Sequence, residues 1–190
     1  MKDIITGIAT FIVVTVLVLL LCSFRTIDSG EVGIKTRFGK VVNTQMNEGI
    51  NFKIPFIEKI VKMNIRVQKT EIDTTSASKD LQDVSMKIAV NYRVNADKST
   101  ELYKNVGTKY EETILLPAMQ ESIKAVTSQY TAEELITSRV EVSQKCMETL
   151  QNKVERYGLS IDNFNITNFS FSEEFNKAIE EKQVAEQKVL

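Results

Sequence analysis

Between Asp3 and Arg25 the chain runs through 21 residues, Ile4 to Phe24, without a charged side chain. A helix of that length rises about 31 Å, close to the hydrocarbon thickness of a bilayer. Ile4, Phe11, Val14, Leu17, Leu20 and Phe24 are the side chains expected to meet lipid. The polar exceptions, Thr6, Thr10, Thr15 and Ser23, can bond to carbonyls one turn back along the same helix. Residues 1–25 are therefore read as a single-pass membrane anchor that carries a water-exposed domain. A cleavable secretory signal fits less well, because one lysine precedes the run and no A-x-A-like site precedes Arg25. A lipoprotein signal at Cys22 has the bulky Leu21 where a small residue is wanted. A core helix of a soluble protein rarely stays apolar on every face for this length.

About 165 residues follow the anchor, enough for one core or a two-lobed one. Lys and Arg number 24 against 25 Asp and Glu, so no basic excess points to nucleic acid. Histidine is absent, which removes His-based triads and most zinc sites. The two cysteines, Cys22 in the apolar run and Cys146 in a helical pattern, make no disulfide framework. No Gly-rich phosphate loop, metal-ligand cluster or nucleophile–base pair stands out. The pairs Glu111-Glu112, Glu133-Glu134, Glu173-Glu174 and Glu180-Glu181 sit at helix starts or on charged faces, where the helix dipole and water account for them. The expectation is a non-enzyme without cofactor or metal.

The first half of the soluble region reads as strands. Val32, Ile34, Thr36 and Phe38 alternate with Gly33, Lys35 and Arg37, and Gly39-Lys40 predicts a tight turn into Val41-Val42. Ile50, Phe52 and Ile54 alternate up to Pro55, and Phe56 and Ile57 are assigned to the core rather than to a lipid surface. Val61, Met63, Ile65 and Val67 form a longer strand, extended past a bend by Glu71 to Thr75. After a polar turn at Ser76–Asp80 comes the clearest strand, with Val84, Met86, Ile88, Val90, Tyr92 and Val94 on one face. Strands in this order, each with one polar face, predict an antiparallel sheet wet on one side.

The second half turns helical. Asp97 is the expected cap of a short helix ending near Gly107. A longer helix from Tyr110 to Gln129 contains Pro117, which kinks or restarts it. Thr131 to Glu134 and Ser138 to Glu141 each match a capping box. The helix after the second box is expected to bury Val140, Met147, Leu150, Val154 and Tyr157, with Cys146 as a packed thiol and Gly158 as a left-handed stop. Leu159 to Phe171 reads as a returning strand whose apolar parity flips twice, which predicts bulges. Ser172 then caps a charged helix in which Phe175, Ala178, Ala185 and Val189 follow a/d spacing, the start of a coiled coil and the expected oligomer interface. Edge pairing through the strand around Val84–Val94 is the alternative route to assembly.

This order of elements, with six motifs in sequence, resembles the prohibitin branch of the stomatin–prohibitin–flotillin (SPFH, band 7) family. The motifs are Glu48-Gly49 with Phe52 to Pro55, Ser78 to Val84, Leu116-Pro117, Thr131 to Arg139, Tyr157 to Leu159, and Phe175 with Ala178 to Ala185. The resemblance covers Ile27 to the end. It implies an α+β fold in which an antiparallel-sheet SPFH domain with packed helices (26–171) follows the anchor and leads into a coiled-coil helix (172–190). In the family that helix continues well past the position of Leu190. The resemblance also implies a ring-like homo- or hetero-oligomer, built from this chain or a homologous subunit, that organises membrane microdomains and binds or restrains a membrane-anchored ATP-dependent protease. Membrane lipids are the remaining expected partner. Two other functions stay in view: a monomeric lipid-binding module and a membrane hydrolase subunit. The side of the membrane stays open, since Arg25, Lys35, Arg37 and Lys40 favour a cytoplasmic domain while the resemblance favours a translocated one.

Overall fold

Residues 2–172, 175–177, 179 and 181 are described by the computed structural model. The architecture is mixed α/β, with every strand pair antiparallel. The chain divides into two compact units, Met1–Arg66 with Asn95–Thr108, and Val67–Val94 with Lys109–Leu190.

The first unit opens with α1 (Lys2–Cys22). The helix stops two residues short of the apolar run's end. Ser23 bonds its N–H to Leu20 and its hydroxyl to Leu19, and Phe24 begins a strand, β1 (Phe24–Ile27). β1 pairs with β4 (Gly49–Phe52) in a two-stranded ribbon. A second sheet has the order β3-β2-β5, from β2 (Glu31–Arg37), β3 (Lys40–Met46) and β5 (Glu58–Asn64). Ile27, Val32, Ile34, Ile60, Met63 and Leu102 are the first unit's buried apolar side chains among the described residues, the last from α2 (Ser99–Asn105). Gly33 is required by closeness: a Cβ there would collide with Ile27 and come within 3.0 Å of Ile60. α2 follows a 3-10 turn at Ala96–Lys98 capped by no side chain, so Asp97 is not the cap expected of it.

Three strand assignments change. The β2–β3 turn is Phe38-Gly39 rather than Gly39-Lys40, with both residues at positive φ (48° and 81°), and Phe38 is 81% exposed. Phe56 is 94% exposed, not core. The strand read through Val61 to Val67 breaks after Asn64, whose side chain accepts the N–H of Arg66 and turns the chain from one unit into the other.

The second unit is built on the sheet β6-β7-β8, from β6 (Gln68–Ala77), β7 (Asp83–Val94) and β8 (Leu159–Phe171). Val84, Met86, Ile88, Val90, Tyr92 and Val94 of β7 are all buried, as their alternation predicts. Both parity flips of β8 are bulges: Asp162 is extra between the pairs Tyr92–Ile161 and Asn91–Asn163, and Thr167 between Ile88–Ile166 and Lys87–Asn168. Pro117 restarts the helix as expected. A π-helical turn, Glu111–Leu115, gives way to α3 (Leu116–Thr127), where a proline in the first turn costs no hydrogen bond.

α4 (Ala132–Thr137) starts from a complete capping box at Thr131 and Glu134. Asp80 reinforces it from the β6–β7 turn, accepting the Ala132 N–H at 3.0 Å. Two of the six resemblance motifs thus meet as structural partners. The second box does not form. Ser138 ends α4 as well as starting α5 (Arg139–Val154), its φ of −105° is not the extended cap conformation, and Glu141 instead accepts the Tyr130 hydroxyl. α5 buries Val142, Cys146, Leu150 and Val154, while Val140 is 84% exposed. Burial pushes the Cys146 thiol up to about 12, which makes it a packing group. Gly158 stops the following turn at φ 81°.

The corrected stripe is testable by denaturant unfolding of the detergent-solubilised chain. Leu150→Ala should cost about 2–5 kcal/mol through the cavity it leaves. Val140→Ala should change stability by no more than about 0.5 kcal/mol. Equal losses at both positions would return α5 to the stripe read from sequence.

Candidate membrane and assembly surfaces

The expected lipid-facing side chains on α1 are turned outward: Ile4, Phe11, Val14, Leu17 and Leu20 are all exposed. The window Ile4–Cys22 is long and apolar enough to cross a membrane, and none of it is buried inside the protein. Its hydroxyls bond back as their spacing predicts, Thr10 to the Thr6 carbonyl and Thr15 to that of Phe11, each at 2.8 Å. Phe24 leaves the helix for β1, where it stands opposite Phe52 with ring centroids 6.0 Å apart in an edge-to-face pair. Both rings remain more than half exposed, and Ile50 beside them is 75% exposed. Sequence reading assigned Phe24 to the anchor helix and Ile50, Phe52 and Ile54 to a piece ending at a sheet edge or bend, and did not pair them. The available signal was Ile50, Phe52, Ile54 and Phe56, four large apolar residues in a short stretch.

The ribbon is fastened to the helix exit by a 2.7 Å bond from the Lys53 N–H to the Ser23 carbonyl. The Lys35 ammonium adds a contact to the Phe52 carbonyl at 3.2 Å. Just beyond, Glu58 is buried with its side chain 2% exposed. Its carboxylate accepts the Ile54 N–H at 3.0 Å, takes Arg37 at 2.8 Å and lies 3.2 Å from Lys35. The backbone bond from Ile54, with Arg37 and Lys35 beside it, holds the carboxyl down to about 2. The charge is thus kept by partners although water is excluded, and the loop 54–58 is drawn closed around it.

In the second unit β7 is the central strand, so the edge pairing expected around Val84–Val94 is not available; the edges are β6 and β8. The outer edge of β8 is occupied by α5. Ser143 donates to the Phe164 carbonyl at 2.7 Å, Arg139 donates to that of Ile166, and Gln151 accepts the Ile161 N–H at 2.7 Å. Ser172 caps the last helix by accepting the Phe175 N–H at 3.2 Å. Phe175 continues an aromatic row, 5.2 Å from Phe171, which stacks on Phe169 at 6.3 Å, with the Arg139 guanidinium 5.5 Å over the Phe169 ring. Ala178, Ala185 and Val189, expected at the oligomer interface, lie outside the described residues. Among the described residues no group of three His, Cys, Asp or Glu is arranged to hold a metal ion.

Comparison with known proteins follows this geometry. The model of the SPFH domain / Band 7 family matches residues 25–189. The chain is 36% identical over 162 residues to the mitochondrial prohibitin complex protein 1 of Caenorhabditis elegans, covering 85% of this chain and 59% of that one. It is 33% identical over 182 residues to prohibitin-2 of Schizosaccharomyces pombe, covering 95% and 61%. It is 38% identical over 140 residues to the mitochondrial prohibitin-1 of Arabidopsis thaliana, covering 74% and 49%. The chain spans half to three fifths of the length of these relatives.

Glu58 supplies a pH test. Its folded pKa, about 2, is below the ordinary 4.5, so its contribution to stability is complete above about pH 4.5 and is lost as pH falls through about 2. Glu58→Gln should therefore be less stable than wild type at neutral pH, and the gap should close on acidification through that window. Parallel unfolding curves, with a gap constant from pH 7 to the acid limit, would remove the charge from the argument.

Proposed function

The chain belongs to the SPFH domain / Band 7 family, and we propose that it works there as a membrane-anchored oligomeric scaffold of the prohibitin type. The observation that carries this reading is the family match over residues 25–189, beginning three residues after an apolar helix of membrane-spanning length ends. α1 crosses the bilayer once and holds the sheets and helices at its surface. The role is assembly without catalysis. The partners are further copies of this chain or a homologous subunit. This is supported by the Caenorhabditis elegans relative, which is named as a protein of a mitochondrial prohibitin complex. Organisation of membrane microdomains, and binding or restraint of a membrane-anchored ATP-dependent protease, extend the proposal by resemblance to the family. The helix from Ser172 onward, with Phe175, Ala178, Ala185 and Val189 at a/d spacing, is assigned to contacts between subunits. A polar helix of this length is marginal in water by itself and needs a neighbour for its apolar stripe.

Anchoring is tested by washing membranes in alkaline carbonate: the chain should stay with the pellet, and Val14→Arg should weaken retention, at an insertion cost of about 2.5–3.5 kcal/mol. Release of the unaltered chain would end the anchor assignment. Assembly is tested by particle mass in mild detergent. The intact chain should form a large particle, and removal of Asn176 to Leu190 should leave a folded, membrane-bound protein of much lower mass. A truncated chain that keeps the full particle mass would clear the last helix of this role, whereas a monomeric intact chain would favour a lipid-binding module.

A further inference from the structure

We infer that Arg139, Phe169, Phe171 and Phe175 form a rigid joint that fixes the direction in which the last helix leaves the second unit. The joint needs only this chain, whereas its consequence for a particle rests on the proposal that the last helix joins subunits. β8 passes into that helix through a single residue. Phe171 is the last residue of the strand, paired with Val84, and Ser172 caps the helix. The Asn176 N–H on the Ser172 carbonyl, at 3.0 Å, is already a helical bond. These bonds lie on the helix side of Ser172, so they start the helix without aiming it. Its direction relative to β8 hangs on the few dihedrals between Phe171 and Ser172. The Phe171–Phe175 ring contact, 5.2 Å between centroids, crosses that junction and removes the freedom.

The third position of the helix is given to packing rather than to capping. In Ser172-Glu-Glu-Phe175 the acids come one and two places after the cap, and phenylalanine stands where a capping box has Glu or Gln. An apolar residue before the cap that packs on the first turn is a hydrophobic staple, which sets the entry angle of the chain. Here Phe171 meets Phe175, one place earlier than the usual partner.

The strand is shaped to carry this staple. Without the extra residue at Thr167, the face holding Phe164 and Ile166 would continue through Asn168 and Ser170. The bulge shifts the parity, so Phe169 and Phe171 stand opposite the buried Met86 and Val84. Two side chains pin the bulge: Thr167 donates to the Lys87 carbonyl at 2.9 Å, and Arg139 from the start of α5 donates to that of Ile166. The same guanidinium lies 5.5 Å over Phe169, which stacks on Phe171 at 6.3 Å. The row thus runs from α5 through β8 to the helix, and all three rings are half-buried. One side of Phe175 is thereby taken by its own unit, which leaves Ala178, Ala185 and Val189 as the stripe for other subunits. A joint of this kind gives every copy in a particle the same angle between sheet and helix.

The test is the distance between two spin labels on the full chain in detergent, read by double electron–electron resonance. The labels sit at Lys145→Cys in α5 and Glu181→Cys in the last helix, both exposed positions, with Cys22→Ser and the buried Cys146 left in place. Labelled chains are diluted into unlabelled ones so that only pairs within one chain are read. The expected result is one narrow distance peak. Phe175→Ala should lose that peak to a broad distribution while the melting temperature of the chain stays unchanged, and Phe175→Tyr should keep it. Phe175→Leu, which retains apolar bulk without the ring, gives the same reading if the alanine variant fails to fold. A broad distribution in the unaltered Phe175 chain, or a narrow peak that survives loss of the ring, overturns the joint. Particle mass is measured on the same samples. A large particle with a broad distribution leaves the assembly proposal standing without the joint, whereas a monomer with the narrow peak keeps the joint and ends that proposal.

Discussion

The hydrogen bond from Lys53 to the carbonyl of Ser23 ties the folded protein to the end of its apolar helix. It acts beside the four-residue pairing of β1 with β4, which starts at Phe24 directly after the helix. With it, the β1–β4 ribbon becomes a continuation of the helix exit, and every residue of the loop 54–58 has a bounded chain distance from the end of α1. Ser23 is suited to this position because its own hydroxyl returns to Leu19 and its buried side chain leaves the carbonyl free for Lys53. The apolar run therefore does two jobs along its length. Its first part meets the membrane requirement that every backbone group be satisfied within the helix. Its last residues hand the chain over to a sheet.

Much of the second unit was legible in the sequence because its signals are periodic and local. The alternation in β7 names its buried face residue by residue, and the two parity flips of β8 turn out to be two bulges at those places. Thr131 and Glu134 specify a cap through side-chain chemistry alone. The readings that failed share a different cause. In α5 two stripes compete, one through Val140 and Met147 and one through Val142 and Cys146, and helical spacing does not choose between them. Packing against the sheet chose the smaller pair of side chains. The strand through Val61 to Val67 kept its alternation across a boundary between units, and only Asn64 carried a turn signal. Phe38 was placed inside by its alternation with Val32, Ile34 and Thr36, and Phe56 because apolar residues near a turn usually pack inward; neither signal reveals that both stand at positive φ in turns.

The titrating groups with displaced pKa values hold structure: Glu58 closes a loop, Asp80 and Glu134 accept N–H groups at the start of α4, and Cys146 fills core. A scaffold of this kind is read by which edges are covered and which apolar residues are not. β8 is covered by α5, while the apolar helix and the turns at Phe38 and Phe56 are left exposed and the row ending at Phe175 is half-buried.

The first unit is completed by α2, which arrives only after the chain has gone away to build the β6–β7 hairpin and come back. The excursion covers Val67–Val94, and Thr108, the end of the first unit's second segment, lies 42 residues after Arg66. At about 5–20 residues per second on the ribosome, the delay is roughly 2–8 s. During that interval the anchor has already emerged, while the pocket for Leu102 in the sheet β3-β2-β5 stands empty. The nascent chain thus has its apolar helix finished and its first core open, and a stall between residues 66 and 108 would leave that core exposed. Codon usage across this span is accordingly a point where synthesis speed and quality control meet.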